Sequence, residues 1–360
     1  MAAAKKDSML SGISIEPFRG DLDALERMAH ASWRDEYGAA SFPNFYKPAF
    51  LRYLFDRIQD RQLLLAAYRG GEIVAFFANL PHRFHFRGQV RRAVFSCLLV
   101  TRKEELRRGL AEAVIREGID YNKVAGFDFA LLTLESGHRS TKLIQKLEKA
   151  GGPLLYVKKQ HVLGRVLDFD RAAVSEGLKS WERAAIKLWR AHVPPRMPEG
   201  CPVRPYRPED LDDCLTLLNG YKDRISLARA WDREELAREL SHPGVAETLV
   251  FEKGGRVRGL INYVSLDHLG FTTERWAWFN HVAFPELTSG ERYAFIQAFL
   301  EHVRRDGFIG TLEWTKKVYG LGPLYRSHFF PYPRGVSMWS WNFAPGLAIE
   351  NIRDVNEVQI

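Results

Sequence analysis

Cysteine is scarce. Cys97, Cys201 and Cys214 are the only three in 360 residues, an odd number with no CxxC spacing. That excludes a disulfide framework and a thiolate zinc site as organising principles, and predicts thiols placed in the core. No stretch approaches the ~18 uncharged apolar residues of a membrane span, and the opening MAAAKKDSMLSG lacks the apolar segment of a secretory signal, so a cytoplasmic chain is expected. A basic tail is missing too. The net charge of +8 comes from short groups such as Arg102-Lys103, Arg107-Arg108 and Arg304-Arg305. It favours a small anionic partner such as a nucleotide cofactor.

Apolar residues at 46 % and aromatics at 12 % are enough to build cores, and the length suits two domains. One phrase occurs twice: IEPFRGDLDAL at 15–25 returns as VRPYRPEDLDD at 203–213. Further landmarks recur in the same order, Gly71 with Gly255 and Thr133-Leu134-Glu135 with Thr311-Leu312-Glu313. Spacing between partners shrinks steadily along the chain, as a duplicated unit with small deletions requires.

Within each copy the hydrophobic period changes in the same sequence. A strand is followed by a helix starting at Asp21 or Asp210. Two strands then flank a Gly-Gly turn (LLLAAYRGGEIVAFFANL, TLVFEKGGRVRGLINYV), a strong hairpin signal. A longer strand, a helix, a strand ending in TLE, a short helix and a last strand complete the unit. The expected fold class is α/β (α+β): two tandem domains, each a mixed, mostly antiparallel sheet flanked by helices. The domains are placed at 1–168 and 201–343, with a tail at 344–360. Between them, 169–200 reads as a helical linker, with Trp181, Ala185, Leu188 and Trp189 at helical spacing before the helix-breaking HVPPRMPEG.

The stretch richest in chemistry is VFSCLLVTRKEELRRGLAEAVIREG, residues 94–118. An apolar strand runs through a charged loop into Gly109 and a helix. The first helical turn offers unpaired N–H groups and a positive dipole end, glycine permits close approach, and Arg107 and Arg108 can add charge-assisted bonds. Such a junction seats an anion. His82 and His85 lack ligand partners nearby and read as ordinary loop histidines, so no metal is expected. Trp339, Trp341 and Phe343 alternate as a strand does and read as core or substrate wall. Aromatic residues Tyr37, Phe42, Phe45, Tyr46 and Tyr221 suggest apolar loop linings.

The junction and the element order together resemble the GNAT family of acyl-CoA N-acyltransferases over residues 13–168 and 202–343. The family signature Arg/Gln-x-x-Gly-x-Gly/Ala is read here as Leu106-Arg107-Arg108-Gly109-Leu110-Ala111, with Leu106 at the leading position. The resemblance implies an acetyl-CoA or other acyl-CoA donor, acetyl being the group expected, whose pyrophosphate rests on the amides of residues 107–111. It implies polarisation of the thioester carbonyl by an amide at Leu99 or Val100, and an amine acceptor on a small molecule or peptide. Glu135, ending its strand beside the donor, is the expected base, with Glu313 its counterpart. GPLYRSHFF resembles the closing LY-x-x-x-GF motif, which makes Tyr325 the candidate acid, with Phe329 where glycine is usual. Leu147 occupies the tyrosine position of the first copy. In some tandem members, N-myristoyltransferases among them, the terminal carboxylate is the base, which makes the tail ending at Ile360 a weaker alternative to Glu135. The loop FPELTSGERYAF of the second copy lacks the signature and reads as a structural helix start with a Thr288/Glu291 capping box. Two other readings keep this fold. One is an aminoacyl-tRNA-dependent Fem-type transferase, disfavoured by the absence of a basic coiled-coil arm; the other is a catalytically degenerate binding protein. Nucleic acid is not expected as a partner.

Overall fold

The computed structural model describes residues 11–38, 40–135, 143–144, 147, 154–315 and 318–355. Their strands join in a single 13-stranded sheet flanked by helices. The first half contributes β1 (Ile13–Pro17), α1 (Leu22–Tyr37), α2 (Pro48–Phe55), β2 (Leu64–Arg69), β3 (Glu72–Phe86), β4 (Gln89–Thr101), α3 (Leu110–Val124), β5 (Phe129–Glu135) and β6 (Leu154–Val166). After α4 (Phe169–Ser175) and α5 (Ser180–Leu188), the second half supplies β7 (Val203–Pro205), α6 (Leu211–Asn219), β8 (Leu227–Arg229), α7 (Arg233–Leu240), β9 (Ala246–Lys253) and β10 (Arg256–Leu269). It continues through β11 (Thr273–Ala283), α8 (Ser289–Arg305), β12 (Gly310–Trp314), α9 (Gly322–Arg326) and β13 (Phe330–Asn342).

Local chemistry explains these elements. The β2–β3 and β9–β10 hairpins turn on Gly70-Gly71 and Gly254-Gly255, all four left-handed, as the tight turns joining twisted strands require. Asp21 caps α1 by accepting from the Ala24 amide at 2.9 Å. Asp210 instead accepts from the Arg207 amide at 2.8 Å and pairs with Arg204, so it stabilises a short turn ahead of α6. The linker differs from the single helix expected. It breaks into α4 and α5 at Gly177, where a Cβ would lie 2.4 Å from the Phe271 ring. Trp181 and Leu188 are exposed, and only Ile186 of α5 is buried. Of the thiols, Cys214 is buried while Cys97 and Cys201 are half-buried.

Pairing is antiparallel except for β4–β5 and β11–β12. The strand order β1-β2-β3-β4-β5-β13-β6-β12-β11-β10-β9-β7 shows an exchange at the centre. The last strand of each half has crossed over: β13 pairs with β5, and β6 pairs with β12. β8 adds to β3 at Phe84–Phe86, and the tail bridges back to it at Val355 beside Leu227.

A buried ionic cluster binds the same two halves. Arg57, after α2, pairs with Glu239 and lies 3.5 Å from Glu235, both on α7. Arg229 reaches Glu235 at 2.7 Å and Glu239 at 3.4 Å. The Tyr53 hydroxyl donates to Glu239 at 2.5 Å, and His281 lies 3.3 Å from the same carboxylate. Burial alone would raise the Glu239 carboxyl, but Arg57, His281 and Arg229 outweigh it and hold it well below the ordinary carboxylate range. Glu235 is depressed in the same way, Arg229 and His82 prevailing over desolvation. His82 is thus a buried neighbour of this cluster.

A carboxylate depressed in the folded state adds stability above its unfolded pKa, and that stability is lost as pH falls below it. Glu239→Gln, which leaves Arg57 and Arg229 buried with one carboxylate fewer, should cost about 3–5 kcal/mol near neutral pH. In urea titrations repeated at successive pH values, wild-type stability should drop steeply below the ordinary glutamate value of 4.5. The variant should show a shallower drop over the same window, and parallel curves would contradict this account.

Candidate active site

A cleft opens where β4 and β5 part. They pair in parallel from Ala93–Phe129 to Ser96–Leu132 and no further. Beyond that point β5 follows β13, through Thr133–Met338 to Glu135–Val336. β4 remains with β3 but bulges: its register steps from Ala78–Cys97 to Phe76–Val100, setting Leu98 and Leu99 opposite Phe77. Leu98 is left-handed at φ 54°, a conformation costing a branched residue on the order of 1–3 kcal/mol and held only where its surroundings dictate it. The expected carbonyl-polarising amides at Leu99 and Val100 therefore sit at a bulge, where the strand's ladder is interrupted beside the opening.

The loop from β4 to α3 is built on one carboxylate. Glu105 is 6 % exposed and accepts from Arg69 at 2.9 and 3.1 Å and from Arg108 at 3.1 Å. Arg102 anchors the loop's start to Glu72 at 2.7 Å. At its end Gly109, left-handed at φ 80°, is the N-cap of α3 and supplies no side-chain cap. Arg107 is also left-handed, at φ 65°, and its exposed guanidinium makes no ion pair among the described residues. Orphan amides of a helix start, a cap without a side chain and an unengaged arginine form an anion seat.

The seat opens into a cavity of about 1720 Å³ whose walls come from both halves. Leu99, Val100, Arg107, Gly109, Leu110 and Ala111 line it, and so does Glu135, whose carboxylate accepts from the Tyr37 hydroxyl at 3.0 Å. Two expected residues are absent from this wall. Arg108 turns to Glu105, because a buried carboxylate holds it more firmly than the open cavity does. Tyr325, on the five-residue α9, is 42 % exposed while its neighbours Leu324 and Phe329 fill the core, so its hydroxyl is not brought to Glu135. Leu147 is core, and Ile360 lies outside the described residues.

Tyr37, Phe42, Phe45, Tyr46 and Trp341 line the cavity, whereas Tyr221 is buried elsewhere and donates to the Val282 carbonyl at 2.8 Å. Sequence reasoning missed the far wall of Trp276, Trp278, Trp314, His268 and Glu176. The signal was faint but present: tryptophans alternate in RWAWF, on the strand that matches β4 of the first copy.

The second half repeats the geometry and fills it. β11 bulges, with Asn280 and His281 opposite Asn262, and parts from β12 after Trp278–Leu312. Tyr319 occupies the space, its hydroxyl on Glu313 at 2.5 Å and its ring 4.9 Å from that of Phe284. Burial, then the Glu313 charge, pushes the Tyr319 hydroxyl well up, so it stays a donor. Thr288 and Glu291 form the expected capping box, closing the start of α8 with the protein's own side chains.

The anion seat can be tested with inorganic pyrophosphate by isothermal titration. Arg107→Ala should weaken binding roughly tenfold, the loss of one charge-assisted bond. Arg108→Ala should do less, since its guanidinium is already engaged by Glu105; the reverse ranking would refute the assignment.

No family model matches the chain, and no curated protein matches it in sequence. Solved structures do match in shape. Saccharomyces cerevisiae N-myristoyltransferase with bound myristoyl-CoA superposes with TM-score 0.76 at 15 % identity, covering 98 % of this chain and 90 % of that one. A second structure of the yeast enzyme with myristoyl-CoA gives 0.76 over 86 % of its chain, and one that also carries inhibitors gives 0.78 over 87 %. At this identity the likeness establishes the fold alone: over nearly its whole length this chain folds as those N-myristoyltransferase structures do.

Proposed function

We propose that the chain is an acyl-CoA-dependent N-acyltransferase, with the donor bound in the first half and the amine acceptor admitted from the side of the second. The observation that carries this reading is the continuity of one cavity from an uncapped helix start, past a strand bulge, to a carboxylate at the end of the neighbouring strand. An acyl-CoA needs those features in that order: a diphosphate seat, an amide beside the thioester carbonyl, and a base.

In the proposed reaction the acceptor nitrogen attacks the thioester carbon. Negative charge gathers on the carbonyl oxygen, which an amide at the Leu98–Val100 bulge stabilises. The C–S bond breaks, and the nitrogen's proton passes to Glu135 directly or through water, with Tyr37 steadying the carboxylate. A thiol ionises near pH ~8.5, so the CoA thiolate can leave and take its proton from water without Tyr325.

The donor is a longer chain than acetyl. Its support is the cavity's size, well beyond the ~300–1,000 Å³ of ordinary ligand pockets, and its aromatic walls. The yeast enzyme of the same fold binds myristoyl-CoA. Each methylene buried is worth ~0.8 kcal/mol, so the rise in melting temperature should grow from acetyl-CoA to myristoyl-CoA. Gly109→Asp should remove the shift for every chain length, by crowding and repelling the diphosphate. An equal shift for acetyl and myristoyl donors would sink the long-chain reading, and no shift with any donor would sink the whole. Given a turned-over acceptor, Glu135→Gln should lower kcat by about 10²–10⁴ while leaving the donor shift intact.

A further inference from the structure

Glu176 follows α4 and lines the same cavity as the anion seat, with His268, Trp276 and Trp278. Its placement is tightly determined. The preceding Ser175 accepts from the Phe271 amide at 2.9 Å, and its hydroxyl donates to the Thr272 carbonyl at 3.0 Å. Gly270 permits this contact, since a Cβ there would lie 2.0 Å from the Ser175 carbonyl oxygen.

The Glu176 side chain is 16 % exposed, and its buried Oε1 has no hydrogen-bond partner among the described residues. His268 Nδ1 stands 3.8 Å from that oxygen, too far for a hydrogen bond. Trp278 donates its indole N–H to His268 Nε2 at 3.0 Å, a bond that only a ring nitrogen with a free lone pair can accept. In that arrangement Nε2 accepts and Nδ1 carries the ring proton. His268 also stacks on Trp276, centroids 5.0 Å apart.

No Lys or Arg forms an ion pair with Glu176 among the described residues, and several nearby cations are held by other groups. Arg34 donates to the Gly38 and Leu269 carbonyls at 3.1 and 2.9 Å. Lys47 pairs with Asp267 at 2.6 Å, Arg171 pairs with Glu274, and Arg183 donates to the Leu178 carbonyl at 3.0 Å. The Glu176 carboxylate therefore lacks a hydrogen bond at Oε1 and a Lys or Arg partner among the described residues, in an aromatic-walled cavity where an unpaired charge costs free energy.

We infer that Glu176, framed by His268, Trp276 and Trp278, is a subsite for an organic cation, an alkylammonium carried on an apolar or aromatic body. If the acyl-transfer reading holds, this is where a charged group of the acceptor rests; the subsite itself does not depend on that reading. Aromatic faces add their own attraction for the cation and exclude a small hydrated ion less suited to them.

The test uses the full chain and phenethylammonium as probe, with its uncharged N-acetyl derivative as control, titrated by saturation-transfer NMR. Wild-type protein should bind the ammonium saturably and the acetylated compound at least tenfold more weakly. Glu176→Gln, verified as folded by an unchanged melting temperature and an unchanged response to myristoyl-CoA, should lose at least tenfold in affinity for the ammonium. Glu176→Asp should retain part of it. Absence of binding by the wild type, equal binding of the acetylated compound, or equal binding by Glu176→Gln each overturns the proposal. A wild type that ignores myristoyl-CoA but binds the ammonium would contradict the donor reading alone, with the melting temperature then the remaining check on the variant's fold.

Discussion

The cavity exists because β5 is held on two sides by strands that travel in different directions. Its first four residues pair with β4 of its own half, and from Phe129 to Glu135 its other edge pairs with β13 from the opposite half. β4 is meanwhile retained by β3 through the bulge at Leu98–Leu99. Neither strand can turn back toward the other without breaking a ladder, so the opening is fixed by backbone hydrogen bonds. Everything chemical in the site inherits its place from that separation: the bulge amides, the helix start at Gly109, and Glu135 at the end of the diverging strand.

Strand exchange also explains why one half can be open and the other filled. Both halves carry the bulge and the parting of parallel strands, but Tyr319 and Glu313 close the second opening with a short hydrogen bond and a ring contact. A filled opening packs like core and serves as a wall. The first half then needs no wall of its own on that side, and the tryptophans of β11 and β12 face the space it leaves. The buried cluster of Arg57, Arg229, Glu235 and Glu239 holds the halves in register at the far end of β3. A shared cavity and a rigid junction are two consequences of one topology.

Much of this was legible beforehand, for identifiable reasons. Glycine pairs that demand left-handed turns, a capping Asp21 and strands of period two report their structure locally, so element order and repeat could be read directly. The Gly109 junction was legible because a glycine between a charged loop and a helix has few physical uses. Long-range placement was not. Nothing local says that β13 crosses to β5, that a buried Glu105 claims Arg108, or that Tyr325 stays on the surface of a five-residue helix while its neighbours enter the core. The far wall was hidden for the same reason, because Glu176 and His268 are ordinary residues until Trp278 and a glycine contact bring them together.

The central claim is that main-chain amides around Gly109 grip a diphosphate. Hydrogen–deuterium exchange read residue by residue, with and without CoA, tests it most directly. The account predicts that CoA slows exchange at residues 107–112 and at the Leu98–Val100 bulge, while the closed start of α8 at residues 289–292 is unchanged. Protection confined to the second half, or none at residues 107–112 under saturating CoA, would contradict it.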